Sequence, residues 1–189
     1  MIIESNAMNE IIINKSKFIT YLYKVKSKKE FLNYYNELKR KYKDATHICY
    51  AYIINNEIKY SDDKEPNGSA GLPIYNVLKN NNLNYIACFV IRYFGGIKLG
   101  GSGLVKAYSN SASLCLKNTN IIEIEKLYKI KIIVDYNLVN TIENILDKKN
   151  ILNKSFDNKI EYIVLVNDNI KNMLNSYNIN YEIIEEDYL

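Results

Sequence analysis

The sequence has no tryptophan, one histidine, two prolines, three cysteines and seven glycines in 189 residues. It also lacks any apolar run near the roughly 18–20 residues that cross a bilayer, which argues against a membrane protein. The stretch at residues 1–18 has no basic region followed by an apolar one, so no export signal is expected. Cys49, Cys88 and Cys115 are odd in number and widely spaced. That excludes a disulfide framework or zinc knuckle and points to a reducing cytoplasm, with the thiols as small buried hydrophobes. With His47 as the single histidine, no Ser/His/Asp or Cys/His constellation can be assembled; His47 and Cys49 merely share a strand face. No reaction can be read from such a set, and an enzyme is the less favoured class.

What is present is an ordinary globular composition, 48% hydrophobic and 24% charged. The net charge of +4 is unevenly placed. Residues 1–120 hold 17 Lys/Arg against 9 Asp/Glu, and residues 121–189 hold 8 against 12. This asymmetry suggests that the first part meets an anionic partner. The chain is rich in Asn, Ile, Lys and Tyr throughout, a coding bias that makes its rare residue types more informative.

Those rare types cluster. Both prolines, Pro66 and Pro73, and all seven glycines lie between residues 66 and 103. Upstream, residues 15–25 read as a strand, and Ser27 with Glu30 forms a capping box for a helix burying Phe31, Tyr35, Leu38 and Tyr42. Residues 46–54 and 57–61 read as a hairpin across Asn55-Asn56. Pro73 suits the first turn of a helix carrying Ile74, Val77 and Leu78. Residues 85–93 form a central strand, and Ser102 opens a helix with Leu104, Tyr108, Ser111 and Cys115 on one stripe. Beyond Thr119 glycine and proline are absent. The pattern there is β-α-β-β-α-β, a ferredoxin-like signature, with Asp168 capping its second helix. Two α+β domains follow, 1–120 and 121–189.

A strand, a glycine-rich loop and a helix in that order bring backbone N–H groups and a helix N-terminus to one place, and both attract anions. The candidate anion site is Arg92, Gly95, Gly96, Lys98, Gly100, Gly101, Ser102, Gly103 and Lys106. It is not a P-loop, because Gly101-Ser102 stands where Lys-Ser/Thr belongs, and it lacks the third glycine of a dinucleotide fingerprint. The acidic loop offers Asp62, Asp63 and Glu65, which could orient these cations, engage a basic partner or hold Mg²⁺. His47, Ser69, Tyr93 and Tyr108 are possible accessories. Among the 18 tyrosines, Tyr50, Tyr52, Tyr60, Tyr93 and Tyr108 are candidates for stacking on unpaired bases.

The stretches 44–52, 61–78 ("SDDKEPNGSAGLPIYNVL") and 90–112 ("VIRYFGGIKLGGSGLVKAYSNSA"), in that order, resemble the IMPACT/YigZ-type family. The resemblance covers residues 15–118, and the remainder is similar to the small C-terminal domain of bacterial members. It implies a ribosomal-protein-domain-2-like α/β sandwich followed by a ferredoxin-like domain resembling one of elongation factor G. Against the usual family pattern, Lys64 replaces Gly, Ser69 replaces Thr, Gly101-Ser102-Gly103 replaces x-Gly-Gly, and Lys106 replaces Arg. Ser69 keeps the hydroxyl, Lys106 keeps the charge without bidentate geometry, and Lys64 is expected in a loop conformation that does not require glycine. The resemblance implies a neighbourhood in translational control. Three readings stand: a cytoplasmic RNA- or ribosome-binding modulator of translation, a Mg²⁺-dependent enzyme for a small phosphorylated ligand or nucleotide, and a module binding a translation-related protein.

Overall fold

Alternation along single strands decides this architecture. A computed structural model describes residues 1–55 and 57–188. The chain divides into two compact units, Met1–Glu123 and Ile124–Leu189.

In the first unit the elements are β1 (Ile2–Ile3), β2 (Ala7–Ile13), β3 (Ser16–Lys24), α1 (Lys28–Lys41), β4 (His47–Ile54), β5 (Glu57–Ser61), α2 (Gly71–Asn80), β6 (Ile86–Tyr93), α3 (Gly100–Leu116) and β7 (Ile121–Ile122). The main sheet has the order β2-β3-β6-β4-β5, antiparallel at every pairing. Along the central β6, Ala87, Phe89 and Ile91 face one way and meet Phe31 and Leu38 of α1. Ile86, Cys88 and Val90 face the other way, onto Ile74 and Leu78 of α2 and Leu104, Tyr108 and Cys115 of α3. The result is an α/β sandwich with helices on both faces of one sheet. A buried hydrogen bond, Thr20 Oγ1 to Ser111 Oγ at 2.6 Å, lets α3 carry serine on its packed stripe.

The Ser27 half of the capping box forms as expected, and the Glu30 half reaches one residue further back, to Lys26 rather than to Ser27. Ser27 Oγ accepts from Glu30 N, and Glu30 Oε2 accepts from Lys26 N. The β4–β5 hairpin is present, but Asn56 of its turn lies outside the described residues. Helix α2 begins at Gly71 and α3 at Gly100, so Ser102 lies within the first turn of α3 rather than opening it. Strand β2 has no counterpart in the sequence reading.

The second unit is β8 (Lys126–Val134), α4 (Val139–Ile145), β9 (Ile151–Phe156), β10 (Ile160–Asn167), α5 (Asp168–Ser176) and β11 (Tyr181–Tyr188). Its sheet order, β11-β8-β10-β9, is antiparallel throughout, as a ferredoxin-like βαββαβ chain requires. From Tyr128 onward every second residue of β8, and every second residue of β10, including Ile130, Ile132, Tyr162 and Val164, is buried against Ile142 and Leu174. The cap of α5 corrects the sequence reading by one position. Asn167 accepts from Ile170 N at 3.1 Å, and Asp168 is the first helical residue. No described helix is long and apolar enough to cross a membrane.

Candidate functional site

Arg92 is one residue beyond the apolar run of β6, on the face shared with Cys88 and Val90. The alternation therefore turns a guanidinium into the α2/α3 side of the sandwich. There it is 4% exposed. Its Nη1 donates to Glu65 Oε1 at 2.5 Å and its Nη2 to Ser16 Oγ at 3.3 Å. Tyr108 OH donates to the same Glu65 oxygen at 2.8 Å. The rings of Phe18 and Phe94 lie 5.5 and 5.6 Å from the guanidinium carbon. Among the described residues Nε of this group finds no partner, and it is shut off from solvent. A buried ion pair of this kind balances desolvation against attraction, and losing either member leaves an uncompensated charge.

The rest of the acidic loop is spent on backbone. Asp62 Oδ1 accepts from Ala70 N and Gly71 N at 2.9 and 2.8 Å, and Oδ2 accepts from Gly68 N. It caps α2 from a distance, since Ala70 at the helix start has no side chain to do so. Asp63 Oδ2 accepts from Ile48 N at 2.6 Å. The three carboxylates thus point at three separate sets of donors and do not fit a shared Mg²⁺. Among the described residues no group of three His, Cys, Asp or Glu side chains converges for a metal. Lys64 also departs from expectation. Its φ of +70°, next to +41° at Asp63, is left-handed, which costs a non-glycine residue roughly 1 kcal/mol. Glycine, the usual family residue there, adopts it freely. Ser69 donates to the Pro66 carbonyl and holds the loop's return.

His47 lies between these groups. Its Nδ1 is 2.8 Å from the Asp63 carbonyl oxygen, and its Nε2 is 3.7 Å from Glu65 Oε1. Cys49, two residues on, is buried, and its single S–H has Asp62 O at 3.0 Å and Tyr108 OH at 3.4 Å as acceptors within reach. Burial, the largest cause, pushes both the Cys49 thiol and the Tyr108 hydroxyl far above their ordinary range, with the neighbouring Glu65 adding to it. Both stay protonated, so Cys49 is no nucleophile and Tyr108 is a fixed donor.

The glycine loop then turns back over this floor. Gly95 N donates to Ser16 Oγ at 3.2 Å, and the loop backbone passes so close that a Cβ on Gly95 would lie 2.0 Å from the Lys15 carbonyl group. Gly100 takes φ +73° to start α3. Among the described residues no side chain caps that helix, and no acidic residue lies in its first turn. Its unspent N–H groups and positive dipole end mark a place for negative charge. A cavity of about 460 Å³ opens here, lined by His47, Glu65, Arg92, Phe94, Lys98 and Gly101 together with Thr46, Pro66 and Leu99. A larger hollow on α1 is lined only by side chains of that helix and Lys43, and has no buried floor.

The structure gathers Arg92, Lys98, Gly100, Gly101, Glu65 and His47 at one cavity. It does not bring Lys106 there, which is exposed further along α3. Ser102 and Gly103 lie on the first turn of α3, while Gly96 is an exposed loop residue with φ +84°. Tyr93 faces the α1 side, where its OH donates to Asp44 and Lys17 stands over its ring. Tyr50, Tyr52 and Tyr108 are buried, so these three rings are structural, while Tyr60, 45% exposed, stacks on Tyr75 and does not line the cavity. The exposed ring at the cavity is Phe94, at 46%, which the sequence reading passed over; its signal was an aromatic residue directly before Gly95-Gly96.

Residues 14–116 match the family model described as the Impact N-terminal domain, a segment holding every residue that lines the cavity. The chain is 36% identical over 174 residues to IMPACT family member YvyE of Bacillus subtilis, covering 89% of this chain and 80% of that protein. An IMPACT family member of Haemophilus influenzae is 32% identical over 165 residues, 82% and 79% of the two chains. The Protein IMPACT homolog of Dictyostelium discoideum is 37% identical over 114 residues, 56% of this chain and 32% of its own length. A crystal structure of a hypothetical protein superposes with a TM-score of 0.65 at 24% identity over 98% of this chain and 97% of that one, and so shares the fold. This chain belongs to the IMPACT family.

Proposed function

We propose that the chain binds RNA, free or within the ribosome, and modulates translation through that contact. The observation that carries this reading is the cavity at the uncapped start of α3. The start of α3, with its unspent backbone N–H groups, Lys98 and the exposed Phe94 ring all line that one cavity. The N–H groups and Lys98 suit a phosphate, and Phe94 suits an unstacked base. The buried guanidinium is not the phosphate ligand, because Glu65 already neutralises it. Its role is to hold the floor of the cavity. The surplus of Lys and Arg in residues 1–120 supports an anionic partner for this unit. The Mg²⁺-dependent reading has no comparable support, given the divergent carboxylates.

The test is a salt titration of binding to single-stranded RNA. Affinity is expected to fall with salt, and Lys98→Ala to make the slope of log K against log salt shallower by about 0.7, one phosphate contact on a single strand. Lys117→Ala, at the far end of α3, is expected to leave the slope as it is. Equal effects of the two substitutions would mean diffuse attraction to the basic surface and would overturn the reading.

A further inference from the structure

We propose that His47 reads the ribose 2′-hydroxyl, so that this cavity takes a ribonucleotide in preference to its deoxy counterpart; the inference rests on the RNA reading above. It begins with a tautomer. Nδ1 of His47 faces the Asp63 carbonyl oxygen at 2.8 Å, and a carbonyl only accepts, so Nδ1 carries the ring hydrogen. In the neutral ring Nε2 is then a bare lone pair, on a residue that lines the cavity.

A second acceptor stands opposite it, Glu65 Oε1 at 3.7 Å. The donors that reach this oxygen, Arg92 Nη1 and Tyr108 OH, are committed to it at 2.5 and 2.8 Å. Nothing in those bonds serves Nε2. The same lining holds Arg92, 4% exposed, whose unpartnered Nε–H lies beneath the surface and out of a ligand's reach. The wall therefore presents an unspent acceptor, and a ligand hydroxyl, which can donate, complements it.

The remaining lining supplies the other half of the ligand. The open first turn of α3 and Lys98 accept a phosphate, and Phe94 accepts a base. A phosphate ester with a hydroxyl close by and an aromatic base is a ribonucleotide unit. The cavity volume of about 460 Å³ suits one small ligand rather than a duplex. A deoxynucleotide lacks the hydroxyl and would seal the His47 lone pair without a donor, which is where discrimination arises.

The experiment compares three fluorescein-labelled single strands of one mixed sequence, as RNA, as DNA and as 2′-O-methyl RNA, against the full chain at low salt by anisotropy. RNA is expected to bind about five- to tenfold more tightly than either of the others, the worth of one hydrogen bond to a buried group. His47→Leu is expected to bring RNA down to the level of DNA, while His47→Gln, whose amide oxygen also accepts, keeps part of the preference. The 2′-O-methyl strand tests the hydroxyl donor without altering the protein, so a poorly folded variant does not decide the matter. Equal, salt-sensitive binding of all three strands would overturn this inference while leaving nucleic-acid binding in place. A preference for RNA that persists in a folded His47→Leu would place the reader elsewhere. Absence of binding by every strand would overturn the RNA reading and this inference with it.

Discussion

Arg92→Leu is expected to lower the thermal midpoint of the first unit by more than about ten degrees. The substitution leaves the Glu65 carboxylate, 4% exposed, without the cation that offsets its burial, and Tyr108 alone donates to it. Removing one member of such a pair typically costs 3–5 kcal/mol, and each kcal/mol moves the midpoint of a domain this size by roughly 4 °C. Removing both charges is different. Arg92→Leu combined with Glu65→Leu is expected to recover much of the loss, since no isolated charge remains inside. Calorimetry on the four proteins of the cycle checks this. If each single variant melts within about two degrees of wild type, the pair is solvated and does not form the floor of the cavity.

The second large effect comes from the loop above that floor. Gly95→Ala places a methyl group 2.0 Å from the Lys15 carbonyl group and 2.5 Å from Ser16 N. These are backbone atoms at the start of β3, so no rotamer change relieves the overlap. The turn must open, with a loss of about 3 kcal/mol or more, and the Ser16 bonds to Gly95 N and Arg92 break with it. Gly101→Ala is the contrast. A Cβ there meets nothing within 4 Å, and the backbone is ordinary helix. Its stability is expected to stay within about 1 kcal/mol of wild type, or to rise, because alanine is the better helix former. Denaturant melts of the two variants check the pair of outcomes. Equal destabilisation would mean that the loop tolerates no side chain anywhere, rather than making one close approach.

How much of this was readable beforehand depends on the range of the interaction concerned. Strands β3, β4 and β6 and the stripe Leu104, Tyr108, Ser111 and Cys115 follow from periodicity alone, and the structure buries all four stripe residues. Strand β2 was missed. It is an edge strand whose residues alternate between half-buried and exposed. Two of its three exposed residues, Met8 and Ile12, are apolar and the half-buried Asn9 is polar, so the polarity does not follow the alternation. Its turn into β3 uses Asn14 and Lys15, both at positive φ, where a hairpin usually signals itself with glycine.

The glycine loop was legible as a special backbone, and the charged groups around it were legible as candidates. Their partners were not. Arg92 reads as a phosphate ligand until the register of β6 turns it inward to Glu65, 27 positions away in sequence. Asp62 reads as a metal ligand until the loop folds it over the start of α2. Lys106 belongs to the same motif as Lys98, yet helical rotation carries it away from the cavity. Residue type and spacing specify local geometry; which charge meets which depends on contacts that only the folded chain makes.

The most direct test of the cavity as the RNA site is an amide NMR titration of the full ¹⁵N-labelled chain with single-stranded RNA at low salt. Binding at the open start of α3 predicts that the amides of Lys98, Gly100, Gly101 and Ser102 move first and furthest, with saturation at a common affinity. Shifts confined to residues 124–189 or to the α1 surface, with the start of α3 unmoved, would contradict it.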